Sequence, residues 1–120
     1  TAKDKGVTII GITSLEYSSR SQSRHPSGKR LFEVCDLVID DVCPFGDALV
    51  TLEVSGVGVA PGSTVLGVAI LNAIVAEVSG LFDEKGVLPP VYQSANIDKG
   101  DDYNRKVFKT YKEQIGYKMR

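Results

Sequence analysis

Apolar residues along this chain come in short blocks, and the period of the blocks changes from start to end. Gly6-Val7-Thr8-Ile9-Ile10-Gly11-Ile12 is continuous and β-branched, and predicts a strand buried on both faces, as in a parallel sheet. A polar stretch from Thr13 to about Pro26 follows and reads as a loop, carrying Ser14, Ser18, Ser19, Ser21 and Ser23, with Ser27 just beyond. Residues 27–34 read as a short helix with an N-cap serine, and 35–40 as a second buried strand. The two strands begin about 28 residues apart, which suits a crossover between parallel neighbours.

The pattern then weakens. Residues 48–54 alternate loosely and predict a peripheral third strand, and Gly56, Gly58, Pro61 and Gly62 mark a turn-rich link. Ser63-Thr64 opens a long helix, residues 63–82, that is apolar almost all round: Val65, Leu66, Val68, Ile70, Leu71, Ile74, Val75 and Val78. A helix without a polar face packs centrally or against another subunit, so a homo-oligomer through residues 63–82 is expected. Pro89-Pro90 precede an extended or edge segment at 91–97. Asp101 caps a last amphipathic helix, with Tyr103, Val107, Phe108, Tyr111 and Ile115 on one stripe and Gly116 at its end. Strands alternating with helices predict an α/β fold with a mostly parallel sheet.

Composition narrows the function. Fourteen basic and 15 acidic residues give a net charge of −1, which removes the general electrostatic case for nucleic acid or an anionic membrane. The longest apolar stretch, 65–76, is shorter than the roughly 20 residues a bilayer needs. Cytoplasm, with no membrane and no nucleic-acid partner, is the expectation. Cys35 and Cys43 with the single His25 fit no metal-ligand spacing, and nothing calls for a cofactor.

Three places could carry chemistry. Thr13, Ser14, Ser18 and Ser19 follow the first strand, where ligands bind in open α/β sheets; their hydroxyls suit phosphate or sugar, or else form a solvated loop. Gly62-Ser63-Thr64 offers the N–H groups of a helix start to an anion, or is a simple cap. His25 and Asp47, in polar loops, are candidates for an acid and a base; an exposed loop histidine and a turn-stabilising aspartate are the alternatives.

The segments 12–18, 23–29, 36–40 and 44–48, then Ser63-Thr64, 94–96 and 100–104, taken in order, resemble the C-terminal half of SIS (sugar isomerase) domain proteins. The resemblance implies a flavodoxin-like three-layer α-β-α sandwich on a parallel sheet, of which this chain would be the C-terminal part of a single domain. It implies a phosphorylated sugar as ligand, and either an aldose-ketose isomerase or a non-catalytic phosphosugar sensor. It places Thr13 and Ser14 in a loop lining the site, and Ser63 and Thr64 at the head of the late helix. Asp47 falls near a catalytic Glu of some relatives, with a shorter side chain that shifts the carboxylate.

Overall fold

The structure, a computed structural model, describes residues 2–114. The expected stripe residue Ile115 and the terminal Gly116 lie outside the described residues. The described elements are β1 (Ile10–Thr13), α1 (Leu15–Arg20), β2 (Leu37–Asp40), β3 (Ala48–Thr51), β4 (Gly58–Pro61), α2 (Gly62–Glu84) and α3 (Gly100–Tyr111), with short 3-10 turns at Lys3–Lys5 and Leu31–Glu33. This is a mixed α/β chain. It divides into two compact units between Asn72 and Ala73, inside α2.

In the first unit β1 and β2 pair in parallel, Ile10 opposite Leu37 and Thr13 opposite Asp40. The pairing is locked at its start by Asp36, whose carboxylate accepts from the Ile9 N–H at 2.8 Å while its own N–H donates to the Ile9 carbonyl. The Ile9 hydrogen bond, helped by Lys3 at 3.5 Å, holds the Asp36 carboxyl below its usual range. Gly11 is required at the middle of β1: a Cβ there would meet the Cys35 sulfur at 2.5 Å.

The expected third strand forms, but its partner is β4, inside the segment read as a link. The two make an antiparallel hairpin, with Val50 opposite Val59. The turn closes through Leu52 N–H to Val57 O and Gly56 N–H to Leu52 O, both 2.9 Å, with Gly56 at φ 68°. So the described residues hold one parallel and one antiparallel pair rather than a single, mostly parallel sheet.

Two further expectations are corrected. The polar stretch 13–26 is not all loop, because α1 occupies Leu15–Arg20. A six-residue helix is too short to persist on propensity, so partners from the rest of the chain hold it. Ser14 accepts from the Tyr17 N–H at 3.0 Å as N-cap, and Asp40 accepts from the Leu15 N–H at 3.0 Å. Conversely, residues 27–34 yield only the turn Leu31–Glu33, because Gly28 at φ 70° leaves the helical region and Ser27 caps Lys29 N–H instead.

α2 runs 23 residues, beyond both ends of the apolar stretch that the sequence suggested. By length and composition alone it is long and apolar enough to cross a membrane, a description that core helices of soluble proteins also meet. Val65, Val68, Leu71, Val75 and Val78 are all exposed on it.

In the second unit, residues 91–97 form no strand. The Asn104 side chain pairs with the backbone of Gln93 instead, accepting from its N–H at 2.8 Å and donating to its carbonyl at 2.9 Å. The Tyr111 hydroxyl likewise donates to the Leu88 carbonyl. α3 starts two residues earlier than a cap at Asp101 implies, at Gly100, after Lys99 in the left-handed region at φ 66°. Asp101 and Asp102 thus lie in its first turn, where the helix dipole favours them, and Val107 is buried.

Candidate functional site

β1 and β2 run parallel, so the loops after both strands leave the same sheet edge, and the chain ties them together there. Ser14, buried after β1, donates from Oγ to the Cys43 carbonyl at 2.6 Å. Asp41, buried after β2, accepts from the Cys43 N–H at 3.1 Å. The turn between them needs Val42 at φ 57°, a left-handed position that a β-branched residue rarely adopts, followed by Gly46 at φ 89° and Asp47 at φ 62°. Backbone of this kind persists only where surrounding contacts over-determine it, and it clusters at ligand loops and switch regions.

That loop seats two side chains. Cys43 is buried against Gly62, and burial, followed by the hydrogen bond to Asp41, pushes its thiol up to about 11. It is therefore held as a thiol, not a thiolate nucleophile. Asp47 accepts at both oxygens from Ser63, from its Oγ and from its N–H, each at 2.7 Å. These bonds hold the Asp47 carboxyl below its usual range. The N–H group that the sequence offered to an external anion is thus answered by the chain's own carboxylate, which caps α2.

On the other side of the loop, α1, residues 21–31 and Phe45 enclose an open cavity of about 860 Å³. Ser18, His25, Arg20, Arg24, Lys29 and Arg30 all line it. Arg20 is paired with Glu16 at 3.2 Å and lies 4.3 Å over the Phe45 ring. Arg30 grips Glu33 with Nε and Nη2 at 3.1 and 3.0 Å, which pulls the Glu33 carboxyl down to about 2. Its Nη1 donates to the Ser19 carbonyl at 2.9 Å. Arg24 and Lys29 have no carboxylate within ion-pair distance among the described residues.

The structure divides the residues singled out from the sequence. Ser18 and His25 line the basic cavity, and Thr13 touches Ser18 through their hydroxyls at 2.9 Å. Ser19 borders an adjoining recess and donates to the Glu16 carbonyl. Ser14 and Ser63 join the loop network, and Thr64 is exposed. Asp47 lines a separate recess of about 110 Å³ with β3 and β4 residues, so His25 and Asp47 face different cavities. His25 Nδ1 lies 2.8 Å from the Ser27 Oγ and 3.2 Å from the Ser27 backbone nitrogen, so that side of the ring is turned to its own loop. The sequence reading passed over Arg24, Lys29 and Phe45. The signal available was a basic run, Arg24 to Arg30, beside a polar loop in a chain otherwise balanced in charge.

Comparison with known proteins follows the same residues from end to end. The chain is similar to the UPF0309 proteins. One from Geobacillus thermodenitrificans is 53% identical over 114 residues, which cover 95% of this chain and 46% of that protein. One from Oceanobacillus iheyensis is 47% identical over 117 residues, 98% of this chain and 48% of the relative. One from Streptomyces avermitilis is 40% identical over 117 residues, 98% and 47%. The chain therefore spans about half the length of the curated relatives it matches. No family model matches it. These two findings correct the resemblance to sugar-isomerase domain proteins: the relatives carry only the UPF0309 name, and no family model supports the assignment.

Proposed function

We propose that this chain binds a phosphorylated sugar in the basic cavity beside α1. The observation that carries the reading is the charge inventory there. Arg20 and Arg30 are paired with Glu16 and Glu33, whereas Arg24 and Lys29 line the cavity with no carboxylate within ion-pair distance among the described residues, Lys29 acting on Glu33 only from farther off. Two cations in a concave site, outside any ion pair among the described residues, favour a dianion, the guanidinium as a two-pronged donor and the ammonium as a point charge. The Ser18 hydroxyl, 2.9 Å from that of Thr13, lines the same cavity, and Ser23, which donates to the Lys29 carbonyl at 2.8 Å, can still accept there from a sugar hydroxyl.

Binding without chemistry is the form of this reading that the geometry supports best, as in a sensor or regulator. Asp47 is engaged at both oxygens by Ser63, and His25 Nδ1 is in hydrogen-bond contact with Ser27. Neither is arranged as a base over a shared substrate position. The fold that accompanies the reading is a three-layer α-β-α sandwich in the cytoplasm, supported by the parallel β1–β2 pair. A homo-oligomer through residues 63–82 goes with it, supported by apolar residues exposed along α2.

Calorimetric titration with inorganic phosphate and a panel of hexose, heptose and amino-sugar phosphates tests the proposal. Binding is expected, and the Arg24→Ala/Lys29→Ala variant should lose it by about tenfold or more, at unchanged far-UV circular dichroism. No heat from any ligand in the panel would sink the proposal.

A further inference from the structure

The basic cavity has an apolar feature that anion binding leaves unexplained. Phe45 sits at the tip of the strained loop after β2 and is 49% exposed, although it lines a cavity bordered by four cations. Its ring is fixed rather than loose. The Tyr17 ring meets it edge to face, with centroids 5.0 Å apart at 68°, and the Arg20 guanidinium covers it 4.3 Å from the centroid. Arg20 is held in turn by Glu16. Leu31, also exposed, lines the same cavity. What sets Phe45 apart from the other exposed apolar residues is that it lines, with Tyr17 and Leu31, a concave site that also holds polar groups, the usual make-up of a small-ligand pocket.

We propose that Tyr17 and Phe45 form a platform for the apolar C–H face of the sugar ring, while Arg24 and Lys29 take its phosphate. This rests on the phosphorylated-sugar reading above and adds to it how the sugar is distinguished from phosphate alone. The two tasks fall on different segments: the phosphate on residues 24–29, the ring on α1 and the loop after β2. A ring set against an aromatic face excludes water from that side, so the sugar adds affinity through contact area and leaves its hydroxyls to Ser18 and, as an acceptor only, Ser23. Arg20, already neutralised, serves the platform and not the anion.

The test compares inorganic phosphate with the sugar-phosphate panel on the full chain. In the wild type at least one sugar phosphate should bind more tightly than inorganic phosphate. Phe45→Ala should lower sugar-phosphate affinity about fivefold or more and leave inorganic phosphate affinity within about twofold. Phe45→Leu, which keeps apolar volume and removes the aromatic face, should lose most of the same increment and guards against misfolding of the alanine variant. Arg24→Ala/Lys29→Ala should weaken both classes of ligand alike. Equal loss of phosphate and sugar phosphate on Phe45→Ala, or no loss of either, overturns the platform while leaving the anion site standing. So does a wild type that binds phosphate and every sugar phosphate equally. A wild type that binds neither class overturns the platform together with the reading beneath it.

Discussion

At the scale of single residues, Asp47 shows how a carboxylate can be spent on structure at a site that invites a catalytic reading. Its two bonds from Ser63 satisfy a helix start and stabilise the charged form more than water does, so its carboxyl titrates below the usual range. The sign follows. A depressed carboxyl contributes stability that is fully present above its unfolded pKa and is lost as pH falls through the lower folded value. Asp47→Ala should therefore lower the melting temperature by roughly 3–8 °C near neutral pH. The gap to wild type should stay constant from about pH 8 to pH 5 and close as pH falls below about 4, read by thermal melts across that range. A gap that widened in acid would contradict the capping role. Both Asp47 and Ser63 were legible in the sequence as polar residues in the right loops. Their pairing was not, because 16 positions separate them and only the β3–β4 hairpin returns the chain to bring them together.

At the scale of elements, the contacts that decide each piece of structure are few and specific. β1 tolerates Gly11 because the Cys35 side chain fills the space where a Cβ would stand. Gly11→Ala should cost about 1–3 kcal/mol by overpacking, measured by urea denaturation, and Cys35→Ala in the same chain should recover most of that loss. Additive losses in the double variant would rule out the clash as the cause. The first three strands and the long helix were legible because apolar and β-branched runs, the helix's more than three turns long, have few other conformations open to them, but the expected burial of β1 and β2 on both faces is not met, since Ile10 and Leu37 are exposed. α1 was not, because nothing in Leu15–Arg20 makes six residues helical; Ser14, Asp40 and Cys43, drawn from two strands' ends, do that together. The hairpin was half legible. Gly58 to Pro61 read as punctuation, yet Gly58 lies where a Cβ would meet Ala48 at 2.6 Å, so the glycine that signalled a turn is there for close strand pairing.

At the scale of the whole molecule, α2 stands out for the apolar surface it leaves uncovered. Val68, Leu71, Val75 and Val78 follow one helical stripe and are 54%, 54%, 48% and 44% exposed. A stripe of that kind is unfavourable in water, and in the homo-oligomer proposed above another copy of the chain covers it. Leu71→Asp should reduce the mass measured by sedimentation equilibrium from that of an oligomer to that of one chain; an unchanged mass in a folded variant would remove α2 from the interface. By itself the sequence determined which segments are apolar and where the first three strands and the two longer helices form, since periodicity and turn chemistry are local and survive without knowledge of neighbours. It determined too that charge as a whole is balanced. Only the tertiary structure decided which charges form ion pairs, because Arg20 and Arg30 find Glu16 and Glu33 through helical and turn spacing while Arg24 and Lys29 form none among the described residues. The same holds for His25 and Asp47, residues alike in the sequence as polar loop groups. The direction in which each loop leaves the sheet edge sets them in different cavities, and that direction is fixed by bonds between distant residues that no local pattern records.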